Sequence, residues 1–408
     1  MVGSCRKVSM TACLAGALLL LCYPLLAFAE SSDRAVNDAI RARVETLQSG
    51  SDLVIQGATV ASTTVLPALY QRRDFAPVWT NPSAIKQLFD AVRNIDEDGL
   101  DPEDYHLATL EKLQTEVGSE ASVNPARTAD LDVLLTDSLV RLGYHLLIGK
   151  VDPVELDGNW NVNRTINGRD AVLALSSAIA EGSVDNLLAA VRPQHMYYRH
   201  LQNALAHYRA IAAAGGWPGV PAGPTLKSGM SDPRVIALRT RLAVTQRMPG
   251  ADAQSAQFDA ALEDAVKVFQ RQHGLAADGA VGKATLAALN IPVESRIDQI
   301  RVNLERARWV LHDLPKDYVV TDIAGFQVRY VRDGQRAWTT RAQVGKAYRK
   351  TPVFRDRIRY IEFNPEITRP GIEIDFMLVV VHNRVANIRC DDPRLESRLI
   401  KRRQARHQ

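Results

Sequence analysis

Four cysteines and nine histidines are the residues of this chain with nucleophilic or metal-binding potential. Cys5, Cys13 and Cys22 fall in one apolar stretch near the N-terminus, and Cys390 stands far from them. A cysteine nucleophile acts as a thiolate, so it needs cationic neighbours or a base to take its proton. Cys390 follows Ile388-Arg389 and precedes Asp391-Asp392. Two carboxylates beside a thiol disfavour its thiolate. His382 lies eight residues upstream, with nothing to fix the geometry of the pair. Cys390 is thus a nucleophile candidate in an unfavourable setting, and a free cysteine of no function is the plainer reading. The histidines are scattered, without the spacing of metal ligands, and no pair of carboxylates stands out for acid–base hydrolysis. No metal and no organic cofactor is implied.

The elements that would have to position such groups are those of a globular protein. The 408 residues suffice for two or three domains, with 46% hydrophobic and 24% charged residues. A net charge of +4 does not by itself argue for nucleic acid. Arg6 and Lys7 precede a nearly unbroken apolar run from Thr11 to Leu26, and Ala27-Phe28-Ala29 has the small-x-small form of a processing site before Glu30. The run is shorter than the ~20 residues of a spanning helix. A cleaved signal peptide over residues 1–29 is expected, with the membrane touched only before cleavage; the alternative is a retained anchor. Cys22 follows Leu20-Leu21, a poor context for lipid attachment.

From Asp33 to about Ala222 the pattern is mostly helical. Leu131, Leu134, Leu135, Leu139, Leu142 and Leu146 recur at helical spacing and predict a helix over Asp130–Ile148. Asp98-Gly99-Leu100-Asp101-Pro102 reads as a turn leading into a helix start. Trp79, Tyr105, Tyr144 and Trp160 are expected in cores. Gly215 to Pro224 is dense in glycine and proline and reads as a linker. Three short helices follow, with stripes Val235/Leu238/Leu242, Phe258/Leu262/Val266/Phe269 and Leu286/Leu289, and a helix over Glu294–His312 comes next. Near residue 317 the period changes to that of strands, over Tyr318–Ile323, Phe326–Val331, Ala337–Val344 and Arg357–Phe363. Ala324-Gly325 and Asp333-Gly334 supply turns. Phe376–Val381 is an apolar run fit for a buried strand, and the remaining tail is rich in arginine.

Val235 to Leu242, Phe258-Asp259, Ala265 to Gln270, Gly274-Leu275, Asp278-Gly279, Val281-Gly282, Thr285 and Ala288-Leu289-Asn290 form a long ordered set. It resembles the peptidoglycan-binding domain 1 family. The resemblance implies a three-helix module over 231–291 that holds peptidoglycan, with Arg239, Phe269, Gln270, Asp278, Gly279, Gly282 and Thr285 as its module residues. Helices this short bury little alone, so the Asp278-Gly279 turn and the Phe258/Phe269 pair must hold the core. A helical spacer of the same fold that binds nothing is the alternative.

Other stretches are similar to YcbB-type L,D-transpeptidases. They are Leu66 to Tyr70, Phe75 to Trp79, Asp98 to His106, Arg141 to His145, Gly149 to Pro153, Arg301 to Arg306, Val344-Gly345-Lys346, Tyr348-Arg349, Thr351 to Phe354 and Ile361 to Pro365. The resemblance implies an α+β fold: a helical scaffold over 31–224, the embedded binding module, a linking helix over 293–315, and a partial β-rich catalytic domain over 317–408. It also implies an exported envelope enzyme in which a cysteine thiolate takes up one stem peptide of peptidoglycan and passes it to the amine of another. That family writes its nucleophile as Ser-His-Gly-Cys-small-Arg, which occurs nowhere in residues 1–408. The motif-by-motif resemblance stops after Pro365, so the C-terminal part of the catalytic domain is expected to be missing or replaced. Three functions follow: a transpeptidase, impaired in this copy; a non-catalytic peptidoglycan-binding scaffold; and, with least support, a wall hydrolase.

Overall fold

A computed structural model of the chain describes residues 33–356, apart from 121, 159, 163–169, 246–253, 313, 347, 349, 350 and 352. Beyond 356 it describes the backbone of three strands, Glu362–Phe363, Met377–Val381 and Arg384–Ile388. The expected signal peptide, His382, Cys390 and the arginine-rich tail lie outside the described residues. The fold class is α+β, with helices dominating through Val310 and antiparallel strands following. The described residues fall into two compact units. One takes the chain up to Lys150 with Ile166–His207 and Ile297–Arg308, and the other takes Val151–Thr165, Tyr208–Arg296 and the chain from Trp309.

The first unit is built round the helix Pro125–Leu147. It starts earlier than the leucine spacing predicted, because Asn124 caps it by accepting from the Arg127 N–H at 3.3 Å and Pro125 occupies the first turn. Leu134, Leu135, Leu139, Leu142 and Leu146 are all buried, and so are Asp132, Thr136 and Asp137. A helix enclosed on most of its circumference keeps polar residues only where partners meet them. Asp132 accepts from the Tyr70 hydroxyl at 2.6 Å and from the backbone N–H groups of Val78 at 3.0 Å and Trp79 at 2.9 Å. Burial pushes its carboxyl up, and those three donors oppose the shift. Asp137 accepts from the backbone of Ala61 at 3.0 Å and Ser62 at 2.8 Å, and pairs with His106 Nε2 at 2.9 Å. Burial raises the Asp137 carboxyl, but the contacts with His106 and Ser62 outweigh it and hold the group below its ordinary value.

The Asp98–Gly99 turn is a second anchor. Asp98 is buried and accepts from Arg192 Nε at 2.8 Å, the Tyr198 hydroxyl at 2.9 Å and Gln202 Nε2 at 2.8 Å. Gly99 has φ +75, and a Cβ there would stand 3.1 Å from Leu304 Cδ1 and 3.3 Å from Arg301 Cα. Gly99→Ala should therefore cost about 2 kcal/mol through left-handed strain and the close approach, read as a lowered urea midpoint. An unchanged midpoint would refute this.

Trp79 and Tyr105 are buried as expected, but Tyr144 is 51% exposed. It occupies a stretch of the central helix that its neighbours leave open. The adjacent His145 is hydrogen-bonded to the buried Tyr105 hydroxyl, with Oη and Nδ1 2.9 Å apart. Burial, then the charges of Arg141 and Lys150, push His145 from 6.5 down to about 4. The unfolded chain therefore takes up this proton first as pH falls. The stabilisation is complete above about pH 6.5 and is lost towards pH 4, on the order of 2–3 kcal/mol. Equilibrium unfolding across that window should show the slope, and His145→Gln should flatten it.

In the second unit, Tyr318–Asp322, Gln327–Arg332 and Gln335–Arg341 form an antiparallel sheet in sequence order, close to the strands expected. Asp333 and Gly334 both have positive φ, 50° and 73°, which matches a tight two-residue hairpin turn. Val328 and Val331 are its buried residues. Trp160–Asn161 pairs in parallel with Val353–Phe354, and the half-buried Trp160 ring meets Trp309 edge-on at 5.4 Å. Of the strand expected over Arg357–Phe363, only Glu362–Phe363 is described; it pairs with Arg384–Ile388, which also pairs with Met377–Val381. The apolar run in the tail is thus strand-forming. No helix among the described residues is long and apolar enough to cross a membrane.

Candidate functional site

Three short helices, Arg234–Thr245, Ala260–Gln272 and Lys283–Leu289, enclose a core of their own. Val235, Leu238, Leu242, Phe258, Leu262, Val266, Phe269, Val281 and Leu289 are its buried members. Phe258 is not part of the second helix, as its spacing predicted. Asp259 caps that helix by accepting from the Leu262 N–H at 2.9 Å, so Phe258 is left in extended backbone. There it donates to Met230 O and accepts from the Gly229 N–H, each at 2.8 Å. Its ring still reaches the core with Phe269, at the expected positions.

The seven expected module residues divide by place. Gln270, Asp278, Gly279 and Thr285 come together round one turn. Gln270 donates to Asp278 Oδ1 at 2.8 Å, Ala280 O at 2.9 Å and Thr285 Oγ1 at 3.1 Å, and its Oε1 accepts from the Gly279 N–H at 2.9 Å. The Ala280 N–H and Gln270 hold the Asp278 carboxyl below its ordinary value. Gly279 has φ +76, and a Cβ would meet Glu263 Cγ at 2.7 Å, so only glycine fits this turn. Gly282 stands at the N-cap of the third helix. Arg239 lies apart, donating to Ser255 O at 3.2 Å, Gln257 O at 2.7 Å and Asp259 Oδ2 at 2.7 Å. Phe269 belongs to the core. Arg239 is 2% exposed, Phe269 and Gln270 1% and Thr285 5%, so these four face inward and hold the module's shape.

Trp217, Arg241 and Asn290 were missed as structural residues. The glycine- and proline-rich stretch that read as a linker is docked on the module. Trp217 Nε1 donates to Ile291 O at 3.0 Å, Val220 N donates to Asn290 Oδ1 at 2.8 Å, and Asn290 Nδ2 donates to Val220 O at 2.9 Å. The Arg241 guanidinium lies 3.9 Å from the Trp217 ring centroid and donates to Leu289 O at 2.8 Å. Burial pushes Arg241 down to about 10. The signals were the lone tryptophan inside the Gly/Pro run and an arginine at a core position of the first helix.

Three family models match successive stretches of the chain. A Scaffold domain covers residues 64–205, a peptidoglycan binding domain covers 231–289, and an L,D-transpeptidase catalytic domain of the YkuD type covers 316–385. Together the three matches support a YcbB-type L,D-transpeptidase family protein. No curated protein matches it. The two wall-related domains imply peptidoglycan as a partner, support a function of the cell-wall transpeptidase type and point to the envelope. The catalytic-domain match runs to residue 385, past Pro365, where the motif-by-motif resemblance stopped. Its described part includes the antiparallel sheet and the strand segments above, and the candidates Cys390 and His382 lie outside the described residues. Among the described residues no group of three or more His, Cys, Asp or Glu could hold a metal ion.

Proposed function

We propose that this chain is exported to the periplasm by a signal peptide over 1–29, holds peptidoglycan through the module at 231–291, and is catalytically impaired. The observation that carries the binding part is the coincidence of the peptidoglycan-binding match with a three-helix body that has its own core. The proposed division is a scaffold over 31–224, the module, a linking helix over 293–315 and a partial catalytic domain over 317–408. Arg239, Phe269, Gln270, Asp278, Gly279, Gly282 and Thr285 serve binding by fixing the shape of the module that meets the polymer.

Two features of the sequence support impairment. Residues 1–408 hold no Ser-His-Gly-Cys, and Cys390 precedes two aspartates that disfavour a thiolate. Export rests on Arg6, Lys7, the apolar run and Ala27-Phe28-Ala29.

Co-sedimentation of the full chain with purified sacculi tests the binding part, and retention in the pellet is the expected result. A chain that stays in the supernatant would overturn it. Exposure to a carbapenem followed by mass spectrometry tests the catalytic part. The expected result is no adduct, and an adduct on Cys390 would restore the active-enzyme reading.

A further inference from the structure

Two stretches quoted for the scaffold meet in space in the first unit. They are Asp104-Tyr105-His106 and the stretch from Arg141 to Lys150, which holds the end of the central helix and the residues just after it. Tyr105 is fully buried, and its hydroxyl has His145 Nδ1, 2.9 Å away, as its hydrogen-bond partner among the described residues, so the phenol proton is assigned to that contact. The neutral imidazole then carries its own proton on Nε2. No described residue accepts from that nitrogen, which leaves it free as a donor. The exposed Tyr144 ring lies beside it, with centroids 6.3 Å apart and planes at 64°. Lys150 Nζ meets Asp104 Oδ2 at 2.6 Å, with the two side chains 44% and 25% exposed. Arg141 is turned inward, 3.6 Å from Asp137 and 3.1 Å from His106 Nε2.

Every charge in this cluster has an opposite partner, so nothing in it selects an anion or a cation. What it offers is an exposed aromatic ring, a half-buried imidazole whose Nε2 has no described partner, and a partly exposed ion pair with donors and acceptors to spare. An uncharged polyhydroxyl ring fits that set: its C–H face lies on the tyrosine, and its hydroxyl and acetamido groups take up the hydrogen bonds. A carboxylate or phosphate would have to separate Lys150 from Asp104 first.

We propose that Tyr144, His145, Asp104 and Lys150 form a saccharide subsite on the scaffold that takes one N-acetylhexosamine unit of a glycan. The ligand class rests on the reading that peptidoglycan is the partner, and the subsite adds a second grip outside the binding module.

The test uses the full chain with labelled histidine, titrated with tetra-N-acetylchitotetraose and followed by NMR. The His145 Nε2–H signal is expected to move on titration. Tyr144→Ala should weaken the sugar about tenfold, while Tyr144→Phe, which keeps the ring, should bind as the parent does. His145→Gln should reduce affinity without removing it. The proposal is overturned if Tyr144→Ala binds like the parent, or if a soluble stem peptide moves the His145 signal and the sugar does not. Sacculus co-sedimentation of the same protein separates the two claims. Sedimentation without sugar binding would end the subsite alone, and failure to sediment would end the wall-binding reading, while the titration still decides the subsite.

Discussion

Gln270→Ala is expected to destabilise the binding module by about 3–4 kcal/mol and to release the full chain from sacculi. The glutamine amide touches four groups of the Asp278–Thr285 turn, and its removal leaves the Gly279 N–H without an acceptor in a buried place. A buried donor stripped of its partner costs roughly 1–3 kcal/mol, and the void left by a side chain that is 1% exposed adds to that. The module has only three short helices, so it has little stability in reserve. Denaturant unfolding, with a probe confined to the module, would measure the loss. A loss below about 1 kcal/mol with wall binding intact would show that the turn holds without the amide.

Asp132→Ala is expected to cost the scaffold about 4 kcal/mol. The Tyr70 hydroxyl and the N–H groups of Val78 and Trp79 would lose their common acceptor at one stroke, inside the central helix bundle. Tyr70 also touches Thr136 Oγ1 at 2.9 Å, as does Trp79 Nε1, so part of the network survives and the effect falls short of three independent losses. Asp132→Asn keeps one acceptor oxygen and should cost clearly less. Thermal unfolding of the two variants side by side checks this order, and equal midpoints would contradict it.

Much of the fold was legible because it follows from spacing and turn chemistry. The leucines from Leu131 to Leu146 mark a helix, and Asp333-Gly334 marks a hairpin, since both depend on neighbours in the chain. The module's closing turn was legible for the same reason: the tight bend at Gly279 needs glycine locally. What depends on distant partners was not legible. Asp132 and Asp137 look like surface positions of an amphipathic helix, yet loops more than fifty residues away bond to them. Tyr144 was expected in a core because tyrosine is large and partly apolar, and no local pattern says that its side of the helix goes uncovered. Trp217 sits where composition forbids a helix, and composition cannot tell a free tether from one pinned by a single ring. Inward orientation of Arg239 and Gln270 was equally hidden, since polar residues at helical spacing ordinarily face water.

The clasp between Val220 and Asn290 places the stretch that leads into the module beside the module's exit, joined by a pair of hydrogen bonds. Tension travelling along the backbone would then arrive at one point and leave from the same point, so the clasp bears the load and the helices are bypassed. A body clasped at its base keeps its shape under a pull on the flanking chain until that clasp gives way.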